Sequence, residues 1–340
     1  MDGQARTSGR VTLSAVAAEA GVSLSTISKV LNGRADVAPG TRARIEQLFE
    51  QYGYTRRAAA TQRSTLLEVV FHELESPWAL EIIRGAEAVA RERGMSIVLT
   101  ESGDLHSPGS EWIEGVLQRR PAGVVLVVSD LDPGHKTQLR SRGIPFAIVD
   151  PGGDPSPDVP SVGSANWSGG LAATRHLLEL GHRRIAAITG PAELMCSMAR
   201  LDGFRSAMHA AGVAVDPDLV EFGDFHVDGG RRIALRMLER DDRPTAIFAG
   251  SDLQALGVFD AARMLGLSVP RDVSVVGYDD LPLAEWSSPR LTTVHQPLRE
   301  MAETAARLVL DPQDDGAPAR LDLATALVVR DSTAPLASPA

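Results

Sequence analysis

Ser23, Leu24, Ser25, Thr26, Ser28 and Lys29 crowd small, hydroxylated and cationic side chains into one short part of VTLSAVAAEAGVSLSTISKVLN, residues 11–32. Carried on one helix face, such side chains reach base edges and phosphates in a DNA major groove. Catalysis has no comparable footing. There is no G-x-S-x-G, no G-x-G-x-x-G after a strand and no P-loop lysine, and the histidines from His72 to His295 lack H-x-x-x-H or Cys/His ligand spacing. Cys196 could serve as a nucleophile, but it reads more simply as a buried structural thiol. The expectation is no catalytic residue, no metal and no cofactor.

Two short helices must position the polar face. Thr12 is placed to cap the first, whose apolar positions Leu13, Val16, Ala17 and Ala20 recur at helical spacing. Gly21 follows them, where a left-handed residue ends a helix. Ser23 then caps a second helix with Ile27, Val30 and Leu31 inward. A helical hairpin that only packs would satisfy the same pattern.

The residues themselves are more specific. Thr12, Leu13, Val16, Ala17, Ala20, Gly21, Val22, Ser23, Thr26, Ile27, Ser28, Val30, Leu31 and Asn32 spell T-L-x-x-V-A-x-x-A-G-V-S-x-x-T-I-S-x-V-L-N. This resembles the N-terminal signature of LacI/GalR-type transcriptional repressors. The resemblance implies an all-α, lambda-repressor-like helix-turn-helix domain ahead of an α/β core like that of the periplasmic binding proteins. It also implies double-stranded DNA, a palindromic operator, as partner. Contacts are expected from Thr12, Leu13, Ser23, Leu24, Ser25, Thr26, Ser28, Lys29, Asn32 and Tyr54.

Charge is divided accordingly. Residues 1–64 hold nine Lys and Arg against five Asp and Glu, a balance of +4, which leaves −14 for the rest of a chain totalling −10. A basic head contacts phosphates while an acidic body is repelled by the duplex. At 340 residues the chain suits two or three domains, and a single cysteine excludes an internal disulfide. No apolar run reaches membrane-spanning length and none near the start is of signal-peptide type, so a cytoplasmic location is expected.

Residues 1–10 read as disordered. A loop from Gly33 to Pro39 leads to a third helix over 41–52, capped by Thr41, with Ile45, Leu48 and Phe49 inward and Gly53 at its end. Residues 1–54 form the expected head and 55–65 a hinge. In the family the hinge reads P-N-x-x-A-x-x-L and wedges a leucine into the minor groove. Here Arg56 and Arg57 stand near the Pro-Asn, Ala60 keeps the small residue and Arg63 replaces the leucine. Arg57, Ala60 and Arg63 are DNA candidates, with arginine in a narrow minor groove and a solvated linker as the two readings.

From Leu66 onward, apolar runs alternate with helical stretches. The runs 66–71, 95–100, 123–128 and 145–150 form one set of buried strands; 184–189, 219–222, 245–250 and 272–279 form a second. Two such sets imply two doubly wound parallel-sheet subdomains. The first is expected over 66–164 and 294–323, entered by a strand at 291–294 and a helix at 297–309 that cross back to it. The second takes 165–293 and 324–330, and 331–340 is a flexible tail.

Doubly wound sheets hold ligands beyond the carboxyl ends of their strands, where Asp150 ends the fourth. By the resemblance, the other effector-site residues are Pro77 and Trp78, Arg200 in S-M-A-R-L-D-G-F, Phe225, Ser251 in S-D-x-x-A-x-G, and Asp279 in V-V-G-Y-D-D. Bland readings stand beside these. Trp78 packs a helix start, Arg200 pairs with Asp202 or Glu193, and Asp252 and Asp280 cap helices or turns. One arginine with acidic acceptors and aromatic platforms suits a neutral polyol better than a phosphate. Trp78, Phe225 and Trp286 lean towards a mono- or oligosaccharide. The expectation is a regulator, most simply a repressor of carbohydrate uptake or catabolism genes, acting as a homodimer or higher assembly under a sugar effector. A purine- or protein-controlled regulator and a sugar-binding transport protein are the alternatives.

Overall fold

Helices α1 (Leu13–Ala20), α2 (Leu24–Leu31) and α3 (Pro39–Gln51) make the first of two units into which the chain divides at residue 63. The computed structural model describes residues 13–31, 37–51, 64–103, 108–154, 156–311 and 319–336. Gly21, at φ +66°, closes α1: its N–H donates to Ala18 O and that of Val22 to Ala17 O, the paired bonds of a left-handed helix stop. The Ser23 hydroxyl accepts from Thr26 N–H (3.2 Å) and caps α2. Val16, Ala17, Ala20, Ile27, Val30, Val37, Ile45 and Leu48 form the core, with Leu13, Val22 and Phe49 packed against it. Thr41 does not cap α3. Pro39, with its φ preset for a first helical turn, opens the helix, and Ala38 O accepts from both Thr41 and Arg42.

The second unit contains two sheets. The first is built from β1 (Leu66–Phe71), β2 (Ser96–Glu101), β3 (Gly123–Val127), β4 (Phe146–Val149), β5 (Ser161–Ser164) and β11 (Arg320–Leu323). Its order is β11-β5-β4-β3-β1-β2, parallel throughout. Around it lie α4 (Pro77–Glu92), α5 (Ser110–Arg119), α6 (Pro133–Ser141) and α12 (Leu298–Leu310). The second sheet holds β6 (Ile185–Thr189), β7 (Val220–Phe222), β8 (Ala246–Ala249), β9 (Ser274–Asp279), β10 (Thr292–His295) and β12 (Ala326–Val328). Its order is β12-β10-β9-β8-β6-β7, with β12 alone antiparallel to its neighbour. Helices α7 (Asn166–Glu179), α8 (Met195–Ala210), α9 (Val227–Leu238) and α10 (Asp252–Met264) cover it, and α11 (Leu283–Trp286) is a short turn after β9. Apolar clusters on both faces of each sheet explain the unbroken hydrophobic runs. The runs at 95–100 and 219–222 depart from that reading: β2 and β7 are edge strands and partly exposed.

Among the described residues, three segments pass between the lobes: Ala165, Gln296–Pro297 and Ala324–Thr325. The first and third are tied together, since Ala165 N–H donates to Leu323 O (2.8 Å) and the Thr325 hydroxyl to Ala165 O (3.2 Å). The strand expected to cross back stays in the second sheet, where Thr292–His295 pairs with β9. The second segment of the first lobe therefore begins past Gln296 rather than at 294. The tail is not loose as far as residue 336. Ser332 is buried and bonds Val275 O and Thr292 N–H, while His182 Nε2 meets Ala334 O (3.1 Å). No helix among the described residues is long and apolar enough to cross a membrane.

Candidate functional site

The helical unit presents one polar face. Ser23, Leu24, Ser25, Ser28 and Lys29 are exposed, and Leu24 leaves 53 % of its surface bare although Ile27 and Val30 beside it are buried. Leaving a leucine in water is unfavourable unless it meets something apolar, and a thymine methyl group is such a partner. Ser23 also fixes its neighbours: its hydroxyl lies 2.6 Å from that of Ser25 and 3.0 Å from that of Thr26. Leu13 is half-buried and packs against the core from its edge. Thr12, Asn32, Tyr54, Arg57, Ala60 and Arg63 lie outside the described residues.

In the second unit a cavity of about 530 Å³ opens between the lobes. Trp78, Asp150, Arg200, Phe225, Ser251 and Asp279 line it. Pro77 does not. It opens α4, and the preceding Ser76, whose hydroxyl accepts from Trp78 N–H (3.2 Å), lines the cavity instead. Trp286 is also absent from the lining, being 79 % exposed on α11. Asp150 follows β4, Ser251 follows β8 and Asp279 ends β9, all at carboxyl ends of parallel strands. The Ser251 hydroxyl is occupied, accepting from Gln254 N–H (3.1 Å) and donating to Phe225 O (2.9 Å). It shapes the wall rather than offering a free donor.

Arg200 is the centre of the site. It is 3 % exposed and pairs with neither Asp202 nor Glu193 as the bland reading had it; Asp202 instead accepts from Arg205. Its Nε donates to Asn166 Oδ1 (2.8 Å), Nη1 to Gly250 O (2.6 Å) and Nη2 to Gln296 Oε1 (3.2 Å). Asp279 Oδ1 stands 3.8 Å from Nη1. The guanidinium lies 3.7 Å over the Tyr278 ring and 5.5 Å from that of Phe225. Arg200 thus links Asn166, which begins α7 just past the first crossing, to Gln296 within the second, and Asn166 favours the charged form of Asp150.

Two buried carboxyls, Asp279 and Asp150, face this cation and a third, Asp252, acts on Asp279; burial governs the protonation of all three. It lifts Asp279 to about 7 against the opposing pull of Arg200. It raises Asp150 too, again opposed by Arg200, and raises Asp252 well above the usual carboxylate range with the Asp279 charge adding to the effect. Burial likewise pushes the Cys196 thiol up to about 12, leaving it protonated and a poor nucleophile although it lines the cavity. A carboxyl that titrates near neutrality beside a fixed guanidinium both accepts from and donates to hydroxyl groups.

Backbone strain gathers here. Val128, Asp150, Phe225 and Asp279 have φ of 47°, 50°, 66° and 110°, and all four line the cavity. Non-glycine residues adopt such values only when their surroundings hold them there. Gly190, at the end of β6, makes room for one of them: a Cβ there would run into the Phe225 ring. At the rim, Glu73 Oε1 from the first lobe meets His226 Nε2 from the second at 3.2 Å and His72 Nε2 at 3.6 Å. Burial, partly offset by Glu73, disfavours the charged form of His72. These rim groups, Asn166 and Gln296 escaped sequence reasoning, since no motif marks them.

Residues 12–57 match the family model for bacterial regulatory proteins of the lacI family, and residues 174–333 that for a periplasmic binding protein-like domain. The HTH-type transcriptional regulator CelR of Thermobifida fusca is 37% identical over 337 residues, 95% of this chain and 98% of that protein. The HTH-type transcriptional repressor PurR of Proteus mirabilis is 33% identical, covering 88% of this chain and 89% of its own. Among solved structures, a transcriptional regulator CelR–cellobiose complex superposes with a TM-score of 0.71 at 35% identity, covering 95% of this chain and all of that one.

Proposed function

Because this chain belongs to the lacI family of DNA-binding transcriptional regulators, we propose that its interlobe cleft takes a neutral saccharide, a β-linked glucose disaccharide in the first instance, and that this effector sets its affinity for a palindromic operator. The observation that carries the proposal is the trio of Arg200, Asp150 and Asp279 in an interlobe cavity walled by Trp78 and Phe225. Adjacent sugar hydroxyls match a guanidinium fork and a carboxyl, and the apolar face of a pyranose lies against an aromatic ring. The regulator solved with cellobiose shares this fold along its whole length. Glu73, Glu101 and Asp224 give the lining an acidic excess over Arg200 even with Asp150 and Asp279 protonated, which disfavours phosphorylated or uronate sugars.

A homodimer presents two heads to two half-sites. Leu24 and Ser25 set the half-site preference, and Lys29 contacts a base or a phosphate. Thr12, Leu13, Ser23, Thr26, Ser28, Asn32, Tyr54, Arg57, Ala60 and Arg63 complete the proposed DNA surface. By linkage, a saccharide that weakens operator binding binds the operator-bound protein more weakly by the same factor.

The test is the thermal midpoint of the full-length protein against cellobiose, glucose, xylose, ribose and adenine, followed by operator release for any hit. A ligand at about a hundred times its Kd adds about 2.7 kcal/mol of stability. Stabilisation by cellobiose with operator release, absent in Asp279→Ala, is the expected result. Stabilisation by adenine alone, or an unaltered response in Asp279→Ala, would overturn the assignment.

A further inference from the structure

Asp279 and Asp280 are consecutive residues with φ of 110° and 60°. Neither is glycine, so this turn does not hold its shape by preference. Its shape serves two ends at once. Asp279 lines the cavity, and two residues on, Leu281 also lines it while packing into the apolar core of the opposite lobe. A turn that aims one side chain at the ligand and inserts another into the facing lobe needs an external clamp.

Asp252 lies beside it. This residue opens α10 but does not cap it, since Ser251 does. It is fully buried, and it is not part of the cavity lining. Its Oδ2 accepts from Leu281 N–H at 2.8 Å and its Oδ1 from the Thr293 hydroxyl at 2.5 Å. Thr293 lies on β10 opposite Gly277 of β9, and a Cβ at Gly277 would strike Asp252 Oδ1. The space for this carboxyl is therefore kept open by a glycine in mid-strand, where glycine otherwise weakens a sheet. Asp280 is held on its other side by Arg330 (2.7 Å) and His295 (3.1 Å). Burying a carboxyl is costly, and burial indeed disfavours its charge. A purely apolar residue would pack here without that cost but would leave Leu281 N–H without its acceptor.

We propose that Asp252 is a positioning residue for the effector site: its carboxyl clamps the Asp279–Asp280–Leu281 turn to β10, and so sets the aim of Asp279 into the cavity and of Leu281 across it. The proposal rests on the cleft being the effector site, and its test separates the two. Asparagine keeps an acceptor for Leu281 N–H and turns its amide towards Thr293 Oγ1, which accepts as readily as it donates. Alanine removes both contacts.

The experiment compares wild type, Asp252→Ala, Asp252→Asn and Thr293→Val as full chains. Amide hydrogen exchange of the peptide spanning 277–284 is read without ligand, cellobiose affinity by calorimetry, and operator binding by gel shift. In Asp252→Ala the segment exchanges faster and cellobiose affinity falls about tenfold, the loss expected when a buried N–H is left without its acceptor, while operator binding stays. Asp252→Asn restores both readouts. If the alanine variant does not fold, Thr293→Val shows the same two changes to a smaller degree. Unchanged exchange in Asp252→Ala, or in Thr293→Val where that is the variant that folds, overturns the proposal. So does unchanged affinity in that variant when the wild type binds cellobiose. A wild type that binds no saccharide, together with faster exchange in Asp252→Ala rescued by asparagine, upholds the clamp and refutes the saccharide reading instead.

Discussion

Burial lifts the Asp279 carboxyl from its ordinary 3.8 to about 7, against the pull of Arg200. In the unfolded chain the same group gives up its proton near the ordinary value. Between the two values the folded protein therefore binds the extra proton. The stability contributed by this group is complete below the unfolded value and is lost as pH rises through about 7. From about pH 5 to about pH 8 that loss amounts to about 2–3 kcal/mol, or about 5 °C in thermal midpoint for a unit of this size. Asparagine has the same shape and no proton to lose, so Asp279→Asn lacks this dependence. The assay is the thermal midpoint of both proteins, without ligand, at four pH values across that range. The midpoint of the variant minus that of wild type should climb by about 5 °C from the acid to the alkaline end. Burial also disfavours the charge on His72, His176 and His182, but these titrate in both proteins and cancel in the difference. A difference that stays flat with pH would refute the claim that Asp279 is a buried, protonatable carboxyl.

Gly190→Ala places a methyl group where the Phe225 ring lies; stability should drop by about 1–3 kcal/mol. With its aromatic wall displaced, the cleft should lose several-fold in cellobiose affinity by calorimetry, and operator binding should be untouched. Equal affinity in the variant would remove Phe225 from the site. Exchanging Leu24 and Ser25 for the residues of another family member should shift the preferred half-site in a selection from random duplexes, by about 1–3 kcal/mol at the bases read. An unshifted preference would place specificity elsewhere on the head.

The legible part of the molecule was the part in which a residue's own type declares its role. Gly21 ends a helix because glycine accepts a positive φ, and Ser23 caps one because its hydroxyl reaches a free N–H. Parallel strands announced themselves as unbroken apolar runs, and Asp150 and Asp279 were found at their carboxyl ends. Contacts made only by the fold left no such trace. Arg200 reaches Gln296 across 96 residues and Asn166 across 34, and neither partner belongs to a motif. Strand β11 is mostly exposed at a sheet edge, so its sequence carries no apolar run. The segment 331–336 is held by backbone and hydroxyl bonds, which composition does not register. Trp286 misled because aromatic character says nothing about direction: it faces outward from a four-residue helix.

Arg200 belongs to the second lobe by sequence and to the crossing segments by contact. Asn166 begins α7 immediately after the first crossing, and Gln296 lies within the second. A ligand shifts a conformational equilibrium only by the difference in its affinity for the two states. Contacts to Trp78 alone, on α4 of the first lobe, would add affinity equally in any two lobe arrangements that leave α4 unchanged. A hydroxyl bound to Arg200 or Asp279 differs, because both groups are tied to the second crossing segment: Arg200 Nη2 donates to Gln296 Oε1, and Gln296 N–H donates to Asp279 O. The proposed saccharide would thus meet, in one cavity, two aromatic walls and an arginine bonded to a crossing segment, and only contacts that differ between two lobe arrangements would let it shift their balance.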